Sequence, residues 1–109
     1  MIYEKAATAD ELKDGEKKKI VLKDKVLLLT RLSGTYYALD NKCPHMGGSL
    51  FDGTLDGANI VCPRHGMTFD VRTGEAVKNG KMAFIPVKAG NARAYPVKVE
   101  GNDVLVGLD

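Results

Sequence analysis

Two cysteines and two histidines are the whole stock of thiolate and imidazole in this chain, and they stand in two matched arms. The first arm reads Cys43-Pro44-His45-Met46-Gly47-Gly48 and the second Cys62-Pro63-Arg64-His65-Gly66, with sixteen residues between His45 and Cys62. One site can therefore hold all of this chemistry, and no ligands remain for a second. Each arm offers one thiolate and one imidazole. A zinc finger usually draws its cysteines from one arm and its histidines from the other. C-x-H paired with C-x-x-H instead suits two inequivalent metals, each taking like ligands from both arms. A structural zinc ion on Cys2His2 is the competing reading, and it would make the chain an interaction module without redox chemistry. A Cys–His nucleophilic dyad is a third, and it leaves the matched arms unexplained.

The neighbouring residues suit ligand arms. Residues i and i+2 of an extended segment point the same way, which serves C-x-H. A tight turn serves C-x-x-H. Pro44 and Pro63 stiffen the arms by fixing φ. Gly47, Gly48 and Gly66 let backbone pass close to a bound group and turn N–H groups toward sulfur.

The segments CPHMGGSL and CPRHGMTFD resemble the cluster-binding pair of the Rieske ferredoxins. The resemblance implies a [2Fe–2S] cluster, with Cys43 and Cys62 on the inner iron and His45 and His65 on the outer iron nearer solvent. Two ferric ions, two sulfides, two thiolates and two neutral imidazoles sum formally to zero, so reduction is easier than in an all-cysteine cluster. The outer histidines would be the electron exit, and their remaining ring nitrogens would couple electron uptake to protonation. High-potential respiratory relatives carry two further cysteines beside the cluster, at positions that correspond here to Gly48 and Arg64. They also place a Ser and a Tyr hydroxyl near the sulfurs, where this chain has Met67 and Phe69. Losing those donors leaves more electron density on sulfur and predicts a potential of about −150 mV, at the low end of the Rieske span. This pattern resembles the ferredoxins that serve aromatic-ring oxygenases and related monooxygenases.

The resemblance implies an all-β fold over residues 1–109 as a single Rieske domain: a β-sandwich of antiparallel sheets with a small cluster-binding subdomain, about 43–70, inserted. The residues agree. Ile20–Leu22, Val26–Leu32, Thr35–Leu39 and Asn59–Val61 read as strands between turn signals, Thr68–Asp70 leaves the second arm, and Ala94–Val99 with Val104–Val106 read as a terminal hairpin. Thr8-Ala9-Asp10-Glu11 has capping-box form and predicts a short helical turn near Leu12. The stretch Val77–Arg93 lacks the Gly-Pro loop with which many relatives shield the cluster, and Met82 and Phe84 read as core residues.

Sequence excludes several functions. The catalytic iron of an oxygenase needs two histidines and a carboxylate, and both histidines are already committed. There is no P-loop and no dinucleotide fingerprint. The expected role is therefore not an enzyme but a one-electron carrier between an NAD(P)H-dependent reductase and a terminal oxygenase or other acceptor. A redox sensor or an accessory reductase subunit is the alternative. A net charge of +2 gives no case for nucleic acid. No apolar run approaches a membrane span, and Met1-Ile2-Tyr3-Glu4-Lys5 turns polar too early for a signal peptide. With both cysteines taken there is no disulfide, which points to a reducing cytoplasm; a monomer is expected. Lys17, Lys18, Lys19, Lys23 and Lys25 read as a charged strand edge, with a basic docking patch as the sharper reading. Lys42 stands beside the first arm and Arg64 inside the second, and both are expected to meet an acidic partner.

Overall fold

The structure, a computed structural model, describes residues 1–42, 48–63, 66–78, 80–82, 85–87 and 91–108; of 78, 80–82 and 85–87 it describes the backbone alone. The strands are, in chain order, β1 (Ile2–Thr8), β2 (Lys17–Leu22), β3 (Lys25–Leu32), β4 (Thr35–Asp40), β5 (Thr54–Asp56), β6 (Asn59–Val61), β7 (Thr68–Asp70), β8 (Ala76–Lys78), β9 (Gly80–Met82), β10 (Ile85–Val87), β11 (Ala94–Tyr95), β12 (Val97–Glu100) and β13 (Asp103–Leu108), with one 3-10 turn at Leu50–Asp52. They form sheets ordered β1-β13-β12, β11-β4-β3-β2, β5-β6-β7-β8 and β10-β9. Every pairing among the described residues is antiparallel, so the all-β expectation holds.

The sheet containing β3 and β4 is the middle layer. Successive strand residues face opposite ways. Leu27, Leu29, Tyr36 and Ala38 enter one core with Val104, Val106 and Leu108 of β13. Leu28 and Leu39 enter a second core with Ile60, Cys62, Met67 and Phe69. This double burial explains the unbroken Leu27-Leu28-Leu29 run, which an antiparallel strand wet on one face would not carry. The β3–β4 connection is a two-residue hairpin whose Ser33 (φ 49°) and Gly34 (φ 81°) both have positive φ, matching the twist of the strands it joins.

Two expectations need correction. The Thr8–Glu11 capping bonds form, with the Glu11 carboxylate accepting from the Thr8 N–H and hydroxyl, each at 3.0 Å. No helix follows, because the buried Leu12 turns its carbonyl to the Arg31 guanidinium at 3.0 Å and Gly15 takes φ 86°. The predicted terminal strand Ala94–Val99 is broken at Pro96, so β11 pairs with β4 while β12 pairs with β13. Proline has no N–H for a continuous ladder, and the chain changes sheets there. Strand β1 escaped the sequence reading because only Ile2, Tyr3 and two alanines mark it. Of the Val77–Arg93 stretch, β9 and β10 pair as a hairpin. The side chain of Met82 and all of Phe84 lie outside the described residues.

Leu28→Ala and Leu29→Ala should each cost about 2–5 kcal/mol of stability in thermal or denaturant melts. Only Leu28 belongs to the layer that contains Cys62, so Leu28→Ala alone is expected to hasten release of bound metal to a chelator. Lys18, together with the Thr8 bonds, holds the Glu11 carboxyl at about 2, below its ordinary 4.5. The ionised carboxylate contributes fully above about 4.5, and that contribution disappears as pH falls toward about 2. Glu11→Gln should therefore flatten the stability-against-pH curve across that window, measured by circular dichroism.

Candidate metal centre

Cys62 is buried at the end of β6, among Leu50, Ile60, Met67 and Phe69. The other three predicted ligands, Cys43, His45 and His65, lie outside the described residues, as does Arg64. What the structure describes is the frame of each arm. The second arm is a closed loop: the Cys62 N–H donates to the Met67 carbonyl at 2.7 Å, and the Gly66 N–H to the Cys62 carbonyl at 3.2 Å. Gly66 takes φ 71° to make this return, a conformation that side chains disfavour. The β5 hairpin braces the loop from one side. A Cβ at Gly53 would sit 2.0 Å from the carbonyl oxygen of Val61, the residue before Cys62.

The first arm is closed at its base by an antiparallel bridge between Lys42 and Ser49. Asn41 is the clamp, a role the sequence reading missed. It is buried, and its side chain reaches across the loop: its amide N–H donates to the Ser49 hydroxyl at 2.9 Å, and its carbonyl oxygen accepts from the Phe51 N–H at 2.8 Å. Its backbone is engaged as well, donating to the Val26 carbonyl at 3.0 Å and accepting from the Leu50 N–H at 2.8 Å. One residue thus ties the departure of the arm from the middle sheet to its return. An asparagine at the end of a strand reads in sequence only as a turn former, so nothing local signals this clamp.

A third brace comes from the far end of the chain. The Ala92 N–H donates to the Gly74 carbonyl at 2.7 Å, the Ala76 N–H to the Asn91 side chain at 2.9 Å, and the Asp40 N–H to the Arg93 carbonyl at 2.8 Å. Gly74 (φ 81°) leaves room for this strap, since a Cβ there would lie 2.0 Å from the Ala92 oxygen. The sheet framing the second arm extends through β8, beyond Asp70. There the Arg72 guanidinium beside Asp70 holds that carboxyl below its ordinary range.

The donor set fits a [2Fe–2S] group. Its formal charge with two thiolates and two imidazoles is zero when oxidised, which suits a cysteine seated in an apolar layer where an unpaired charge would be costly. Met67 and Phe69 are fully buried in that layer and carry no hydroxyl. The hydroxyl of Thr68 between them is spent on the Gly66 carbonyl at 3.1 Å. Among the described residues no three Cys, His, Asp or Glu side chains converge elsewhere.

Asn41→Ala orphans the Phe51 N–H and should cost about 1–3 kcal/mol. Chelator-driven loss of bound iron should also accelerate, followed as bleaching of visible absorbance. Ser49→Ala, which removes one of the two side-chain bonds, should have the smaller effect on both.

Residues 3–105 match the Rieske [2Fe-2S] domain family. The naphthalene 1,2-dioxygenase system ferredoxin component of Pseudomonas aeruginosa is 38% identical over 98 residues, covering 90% of this chain and 88% of that one. The solved ferredoxin of carbazole 1,9a-dioxygenase from Nocardioides aromaticivorans superposes with a TM-score of 0.84 at 31% identity, over 100% of both chains. A solved complex of reduced oxygenase and oxidized ferredoxin in carbazole 1,9a-dioxygenase matches with a TM-score of 0.81 at 28% identity, covering 96% of this chain and 92% of that one. A family match over nearly the whole length, on a fold that seats the second-arm cysteine between apolar layers, makes this chain a member of the Rieske [2Fe-2S] domain family.

Proposed function

We propose that this protein is the ferredoxin component of a multi-component oxygenase system, carrying single electrons from an NAD(P)H-dependent reductase to a terminal oxygenase. The observation that carries this reading is the buried Cys62 at the mouth of a braced loop, in a chain whose full-length relatives are ferredoxin components of dioxygenase systems. When bound, the [2Fe–2S] group supplies a site that takes up and releases one electron. The remaining work falls to the chain. Cys43 and Cys62 would hold the inner iron, and His45 and His65 the outer. Asn41 and the Lys42–Ser49 bridge hold the first arm at its base. Leu50, Met67 and Phe69 exclude water from the Cys62 side. Substrate oxidation belongs to the oxygenase, and this chain delivers electrons to it. No helix among the described residues is long and apolar enough to cross a membrane. With both cysteines used as ligands, a reducing cytoplasm is the compartment proposed.

Anaerobic redox titration followed by electron paramagnetic resonance tests the reading. A Rieske-type signal with a midpoint of about −150 mV is expected, because Met67 and Phe69 offer the sulfurs no hydroxyl. Met67→Ser should raise that midpoint if its hydroxyl reaches sulfur, and Cys62→Ser should abolish the signal. A strongly positive wild-type midpoint would point to respiratory chemistry instead, and zinc without iron to a structural module.

A further inference from the structure

The lysines of β2 and its turn are sorted by the fold. The Lys18 ammonium pairs with Glu11, Lys23 with Glu4 at 3.3 Å, and Lys17 lies over the Phe51 ring at 4.6 Å. Lys5, Arg31, Arg72 and Lys98 have carboxylate partners at 3.2, 3.1, 2.8 and 3.4 Å. Arg93 stacks on Tyr95. Among the described side chains, Lys13, Lys19, Lys25 and Lys42 take part in none of these ion pairs or ring contacts. The last three line one cleft, whose floor includes Asn41 and Ser49, the residues that close the first arm. Asp24 and Asp40 line it too, so three ammonium groups stand against two carboxylates and the cleft keeps a small excess of positive charge.

The cleft has an apolar border. In the β2–β3 register Val21 stands opposite Val26 and Lys19 opposite Leu28, so Lys19, Val21 and Val26 share one face of the sheet. Leu28 on that face is covered by the second core, yet Val21 is 66% exposed and Val26 37%. The Val26 carbonyl bonds the Asn41 N–H, which places this exposed pair one hydrogen bond from the base of the first arm. A small apolar centre beside an excess of ammonium groups fits a protein surface with carboxylates around an apolar patch.

We propose that this ledge, the sheet face of Lys19, Val21 and Val26 together with Lys25 and Lys42 of the adjoining cleft, docks an acidic face of the electron-accepting oxygenase; the inference rests on the function proposed above. The partner that receives the electron meets the reduced protein, which carries one more negative charge than the oxidised form. The excess of ammonium groups beside the arm offsets that charge and keeps this surface attractive to carboxylates in the reduced state. The donor meets the oxidised form, where there is no added charge to offset.

The test compares wild type with Lys19→Gln/Lys25→Gln/Lys42→Gln by stopped flow, after the midpoint of each has been measured so that rates are compared at matched driving force. The probes are the oxygenase and reductase of a naphthalene 1,2-dioxygenase system. The second-order rate to the oxygenase should fall about tenfold or more at low ionic strength and converge with wild type at high salt, while reduction by the reductase is unchanged. Equal oxygenase rates, or slowing of the reductase step alone, would overturn the proposal. If the oxygenase accepts no electron from wild type, the function proposed above fails for that partner, and the ledge is judged separately. Ferricyanide and hexaammineruthenium(III) each take one electron from the reduced protein. The variant should then react more slowly with the anion and faster with the cation, and unchanged rates with both would dispose of the ledge.

Discussion

A β-strand alternates its side chains between two faces, so it can be dry on both only if a layer covers each side. β3 meets this condition with Leu27, Leu28 and Leu29, and β4 with Ala38 and Leu39, all essentially without solvent exposure. Each buried leucine contributes roughly 1.5–3 kcal/mol. The β1-β13-β12 sheet depends on Leu27 and Leu29, and the β5-to-β8 sheet depends on Leu28 and Leu39. The metal-binding layer is thus held to the same two strands that anchor the rest of the chain.

That attachment also positions the arms. The first leaves directly from the end of β4 and returns under the Asn41 clamp, and the second is a closed loop following β6. The strap through Ala92 ties the turn after β7 back to β4. Gly53 and Gly74 are required at two contacts where backbone meets backbone too closely for any side chain. These contacts are non-local, and they constrain both arms against one rigid sheet. That is the preorganisation a bound group needs if its surroundings are to change little when its charge changes.

The charged residues follow the same logic. Among the described residues, Lys5, Lys18, Lys23, Arg31, Arg72 and Lys98 close ion pairs that are mostly exposed and individually weak. Lys19, Lys25 and Lys42 do not, and they line one cleft where β2, β3 and the first arm meet. Edge strand β2 is rich in lysine, which discourages pairing with another sheet, and the fold turns part of that defensive charge toward the arm.

Legibility in sequence divides along the range of the interactions involved. The candidate ligand set, the middle strands and the terminal turn are legible in sequence, because Cys and His spacing, alternation and Gly-containing turns are local signals. The all-β class and the family followed from them. The structure shows Cys62 buried after β6, and the assignment of all four ligands rests on spacing and resemblance. Three features were decided only in three dimensions. Thr8–Glu11 makes its capping bonds without a helix, because a buried Leu12 and the Arg31 guanidinium compete for the backbone. Pro96 hands the chain from one sheet to another, because both sheets offer an edge at that point. Asn41 becomes a clamp because Ser49 and Phe51, eight and ten residues away, come within hydrogen-bonding distance. Sequence determined which chemistry the chain can hold, since ligand type and local spacing are covalent facts. Tertiary structure decided what holds it in place, since that depends on partners distant along the chain.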